Sequence, residues 1–112
     1  MTQFLKPFEP IQSDTRYVAN SGTASALADL PESCDVVALY NTSTTATAFF
    51  HCHPYDSSNT TIAVLPTTSP VGDIPVPPSQ QIRISVPKGK KQFSVIATAA
   101  DGNLYITPGV GN

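Results

Sequence analysis

The chain has 112 residues, the length of one domain, and only 12% of them are charged, roughly half the usual share, with 13 threonines and 11 serines in their place. A net charge of −2 argues against general nucleic-acid binding, which needs a basic face to displace counterions. The 40% apolar content argues against wholesale disorder, no run approaches the ~20 apolar residues of a membrane span, and a polar coat so poor in charge suits a protein whose surface is partly covered in an assembly.

Residues 1–16, MTQFLKPFEPIQSDTR, lack the long apolar stretch of a signal peptide, so the chain is expected to be made in a cytoplasm. Pro7 and Pro10 forbid a stable helix here, yet Phe4, Leu5, Phe8 and Ile11 are large apolar groups that must bury against something. The segment reads as an extended arm, docked either on its own domain or on a neighbouring subunit. Residues 17–112 read as a single domain with no internal repeat and no linker.

Within that domain the signals are those of strands. Residues 23–30, TASALADL, are too short for a stable helix before Pro31 and read as a strand of small residues. Residues 34–41, CDVVALYN, are apolar on both faces, which predicts a central strand of a sandwich. A TSTT turn leads to residues 45–52, TATAFFHC, and the two runs read as an antiparallel hairpin. Residues 61–65, TIAVL, form a further short run. Residues 66–79 hold five prolines and should run along a sheet edge or cross between sheets, because proline cannot donate to a central ladder. Residues 80–87 alternate, with Ile82, Ile84 and Val86 on one face and Gln81, Arg83 and Ser85 on the other. Lys88, Lys90 and Lys91 around Gly89 read as a solvated turn. QFSVIATAA (residues 92–100), a D-G-N turn and NLYITP (residues 103–108) complete an all-β domain, a β-sandwich or jelly roll of about 7–8 antiparallel strands.

The chemistry-bearing residues gather in FFHCHPYD, residues 49–56. On a strand His51 and His53 share one face and Cys52 takes the other, so the three cannot readily share one ion. The H-x-H pair is similar to the cupin metal motif, but no histidine follows His53 and no glutamate follows Glu32. Asp56, Asp73 and Asp101 are the later carboxylates that remain for an iron-type triad. The simpler reading is that the histidines end a strand and bond locally, with Phe49 and Cys52, or Phe50, toward the core. Cys34 and Cys52 read as buried thiols in a reducing compartment, bridged only if their strands lie side by side. There is no G-x-S-x-G elbow, no phosphate loop and no carboxylate pair, so no catalytic residue, metal or cofactor is expected.

The C-terminal half, with its I-P-V-P segment, alternating Ile/Val strand, FSVIATAA strand, D-G-N turn and terminal LYITPGVGN, resembles small all-β virion proteins of tailed bacteriophages. Among these it is similar to capsid decoration, or cement, proteins, and the likeness covers about residues 20–112. The resemblance implies a non-enzymatic structural protein on the outside of a phage head that stabilises contacts between capsomers. Its partners would be the major capsid protein, other virion proteins and further copies of itself, without nucleic acid or membrane, and its location the virion. Contact residues would be Phe4, Leu5, Phe8 and Ile11 in the arm, with Tyr55, Val71 and Ile74 on irregular segments. Collar and head-completion proteins use similar folds. A carbohydrate- or receptor-binding sandwich ranks second, because there is no Trp and Tyr17, Tyr40, Tyr55 and Tyr105 are scattered along the chain.

Overall fold

The computed structural model describes residues 8–67 and 72–111. Among them there is no helix, hence none long and apolar enough to cross a membrane. The described strands are β1 (Glu9–Pro10), β2 (Arg16–Ala19), β3 (Ala28–Leu30), β4 (Val36–Asn41), β5 (Ala48–Pro54), β6 (Ile74–Val76), β7 (Gln81–Ser85), β8 (Lys91–Ala97) and β9 (Asn103–Val110). They form two antiparallel sheets. The first holds β4 between β7 and β9, with β1 and β2 along the other side of β9; the second has the order β3-β8-β5-β6.

The runs read from the sequence hold β4 and β7 within their bounds, while β5 and β9 continue past the ends of theirs and β8 starts one residue early. Residues 23–30 yield only the short β3, because Ser25 upstream bonds β8 irregularly: its N–H donates to Val95 O (2.8 Å) and its hydroxyl accepts from Val95 N–H (2.9 Å). Residues 61–65 are not a strand. The expected hairpin of β4 and β5 is also corrected, for the two lie in different sheets. Their connection is a corner, built on Ser43. The Ser43 hydroxyl accepts from Ala46 N–H (2.7 Å) and Thr45 N–H (3.1 Å) and donates to Asp101 of the β8–β9 connection (2.5 Å). From β2 to β9 every connection except β5–β6 passes from one sheet to the other.

The proline-rich stretch does take an edge. Pro75 lies in β6, which borders only β5, and the chain then crosses to β7 in the other sheet. The described part of the arm lies on its own domain. Glu9 and Pro10 pair with Val110 and Gly109, Ile11 N–H donates to Pro108 O (2.9 Å), and the Ile11 side chain packs on the core. Phe8 lies over Gly109, where even one added carbon would strike its ring, and the Arg83 guanidinium sits 5.4 Å from that ring. Phe4, Leu5 and Val71 fall outside the described residues.

Between the sheets Val37 and Leu39 of β4 and Leu104 and Ile106 of β9 meet Phe50 of β5 and Phe93 and Val95 of β8. The Phe50 and Phe93 rings stack with centroids 5.8 Å apart. Each such side chain contributes on the order of 1.5–3 kcal/mol through burial. One polar residue shares this layer. Asn41, fully buried, donates from Nδ2 to Ala46 O (2.8 Å) and to Val76 O of β6 (3.0 Å). Its Oδ1 accepts from Asn20 Nδ2 (3.1 Å) and from Ser43 N–H (3.0 Å). The amide thereby ties β4 in one sheet to β6 in the other. Replacing Asn41 by Leu keeps the volume but strips partners from buried groups on both sheets, each costing about 1–3 kcal/mol. Urea denaturation of Asn41→Leu should show a loss of roughly 3 kcal/mol or more; a loss under ~1 kcal/mol would mean the bridge does not hold the sheets.

Candidate functional site

Strand alternation on β5 turns Phe50 and Cys52 toward the core and His51 and His53 to the outer face of the second sheet. His51 Nδ1 lies 2.7 Å from Asp73 Oδ1, and His51 Nε2 lies 2.9 Å from His53 Nδ1. A carboxylate accepts, so His51 donates from Nδ1; with both rings neutral, His51 Nε2 accepts and His53 donates from Nδ1. His53 Nε2 is then a bare acceptor, buried and without a partner among the described residues. The other oxygen of Asp73 accepts from Val64 N–H (2.7 Å).

The three groups form a chain and do not converge on one point. Among the described residues no cluster of three His, Cys, Asp or Glu side chains is placed to hold a metal ion. Asp56, the nearest carboxylate in sequence, closes a local turn through Ser58 N–H (3.0 Å) and Ser58 Oγ (2.8 Å), bonds that hold its carboxyl below the usual range. Ser94 stands opposite His51 in the β5–β8 ladder, so serine, histidine and aspartate are neighbours. They do not make a nucleophile. The Ser94 hydroxyl is fully buried and donates to Ser25 O (2.8 Å), while His51 Nε2 faces His53. What the arrangement does is mechanical. Asp73 and Ser94, whose Oγ accepts from Ala63 N–H (3.1 Å), fasten residues 63–64 over the outer face of the second sheet.

That fastening shapes the surface. Ala63 is buried, while Ile62 and Val64 on either side of it are each 43% exposed. Ile74 of the edge strand β6 is 43% exposed as well, but its register with Phe50 turns it to the inner side of the second sheet, at the rim of the core. Tyr55 is also exposed, with Lys90 Nζ 4.5 Å from its ring centre. Of the residues expected at an interface, Tyr55 and Ile74 are therefore on the surface, whereas Phe8 and Ile11 rest on their own domain. Ile62 and Val64 were missed because TIAVL reads as a strand, which would have turned alternate side chains inward.

The lysine turn is corrected in part. Lys88 and Lys90 are exposed, but Lys91 is fully buried and its ammonium donates to Gly89 O (2.7 Å), Pro31 O (3.0 Å) and Glu32 O (3.3 Å). The tyrosines are not scattered. Register places Tyr17 beside Tyr105 and Tyr105 beside Tyr40, three in a row across β2, β9 and β4 on the outer face of the first sheet. Comparison with family models, with curated proteins and with solved structures gives no match.

Both cysteines are free thiols. Burial pushes the Cys34 thiol up, and it pushes Cys52 up to about 11, although nearby Lys91 opposes the shift in each. A thiol raised in the folded state favours folding below its ordinary value and loses that contribution as the pH climbs through the folded value. Stability should therefore fall between pH 9 and 11, and Cys52→Ser should flatten that fall in thermal melts recorded across the range. Asp73→Ala should leave the sandwich folded while releasing residues 63–64, seen as faster amide exchange at Ala63 and Val64; unchanged exchange there would show that Asp73 does not fasten the segment.

Proposed function

We propose that this chain is a non-enzymatic structural protein of a virion, a decoration subunit that binds the outside of a phage head and fastens neighbouring capsomers. The observation that carries the reading is a set of uncovered aliphatic side chains. Ile62 and Val64 stand in water on a segment fastened by Asp73 and Ser94, Ile74 stands exposed on the edge strand β6, and exposed apolar groups on a fixed support are what a docking surface needs. The low charge of the coat, 12%, keeps the desolvation cost of a contact small. The tie between His51 and Asp73 supports the segment that carries Ile62 and Val64. A stable contact of about 800 Å² per partner, repeated over a shell and reaching two capsomers from one subunit, multiplies modest affinities into strong retention.

The test is cosedimentation with heads from the native source stripped of their decoration. The wild-type protein should saturate them, and Ile62→Ser/Val64→Ser/Ile74→Ser, shown folded by circular dichroism, should bind at least tenfold more weakly. Wild-type retention of the triple variant would move the contact elsewhere, and failure of the unaltered protein to sediment with heads would end the reading.

A further inference from the structure

The outer face of the first sheet plays no part in the reading above. Its centre is the tyrosine row. Tyr17, Tyr40 and Tyr105 are 63%, 44% and 38% exposed, and the Tyr17 and Tyr105 rings have centroids 5.8 Å apart at 47°. Strands lie ~4.8 Å apart, so the row is roughly 10 Å long. Gln81 of β7, opposite Tyr40, extends it by one more strand. On one side of the row Thr107 and Thr15 share a hydrogen bond of 3.1 Å; on the other stands Asn103, whose N–H donates to Thr42 Oγ1 at 2.9 Å.

We infer that this row is a binding platform for an extended polysaccharide bearing carboxylate groups. Three features select that ligand. The uncovered aromatic surface amounts to roughly 300 Å², a strip one residue wide between threonine, asparagine and glutamine. That is well short of the ~800 Å² with an apolar centre that a stable protein contact requires, so neither a second copy nor another protein is matched to it. A strip of phenol faces edged by hydroxyls and amides matches a sugar chain instead, whose C–H faces stack on rings and whose hydroxyls meet donors and acceptors at the rim. The row also lies across the outer face of a sheet, which fits a chain lying along it better than a small molecule that needs a concave pocket.

Charge supplies the third feature. Of the residues that register places on this face none is acidic, and Arg83 alone is charged, in a protein of net charge −2. Arg83 is two residues along β7 from Gln81, about 7 Å away. Phe8 supports its guanidinium from below, 5.4 Å from the ring centre, and no described carboxylate pairs with it. A uronic-acid unit stacked near Tyr40 would bring its carboxylate to Arg83 as a charge-assisted pair.

Affinity electrophoresis of the full chain in native gels containing alginate, a uronic-acid polymer, or dextran, a neutral one, tests this. Alginate should retard the protein even though both are negatively charged, and dextran should retard it less. Tyr17→Ala/Tyr105→Ala should weaken retardation by alginate at least tenfold with an unchanged melting temperature, as the exposure of both rings allows. Tyr17→Phe should change it less than threefold, and Arg83→Gln should erase the preference for alginate over dextran. Retardation by neither polymer, or retardation that survives loss of both rings, would overturn the platform. Equal retardation by the two polymers, untouched by Arg83→Gln, would overturn the acidic assignment. Self-association abolished by the double variant would give the face to a second copy and defeat the inference. Because the substitutions lie in the first sheet and leave Ile62, Val64 and Ile74 unaltered, none of these outcomes bears on binding to heads.

Discussion

Two sheets held face to face by apolar contact alone are free to slide, since hydrophobic attraction has no direction. The Asn41 amide removes that freedom. Its four bonds reach three places: the corner before β5 through Ser43 and Ala46, the edge strand β6 and the loop after β2. A fully satisfied polar group inside a core specifies one alignment of the layers, whereas a half-satisfied one would be worse than an apolar residue. The positions of β6, of Asp73 just before it and of the segment that Asp73 holds all follow from where this amide puts the second sheet.

The strands with clean alternation or with two apolar faces were legible in the sequence: β4, β7, β8 and β9 lie where the pattern of side chains puts them. Partner choice was not. Sequential strands joined by a short turn favour a hairpin, but here the turn after Asn41 is drawn inward by Ser43 and Asp101 and delivers the chain to the other layer. Nothing local distinguishes such a corner from a hairpin loop. The same limit hid the tyrosine row. Tyr17, Tyr40 and Tyr105 are remote in sequence and meet only through the β2–β9 and β4–β9 registers. His51 and His53 were legible as a same-face pair. Their carboxylate partner was left open among Asp56, Asp73 and Asp101, and it is Asp73, which lies next to β6 at the edge beside β5.

Lys91 shows a different kind of failure. A lysine beside Gly89 and Lys90 reads as solvent-exposed, because a buried ammonium is costly unless its donors are met. Three backbone carbonyls meet them here, two from the turn after β3 and one from the turn before β8. The carbonyls of irregular backbone are the missing signal, and side-chain composition carries no record of them.

The dependence of the first sheet on β9 sets the order of events during synthesis. β1 and β2 take their ladders from that one strand and β4 takes one of its two from it, and the ribosome delivers it after every other described element. At ~5–20 residues per second, β2 waits on the order of ten seconds for its partner. Meanwhile β4, apolar on both sides, has at most β7 beside it. Newborn chains should thus lean on chaperones until the last strand emerges, and nascent fragments that stop before residue 103 should be prone to clump.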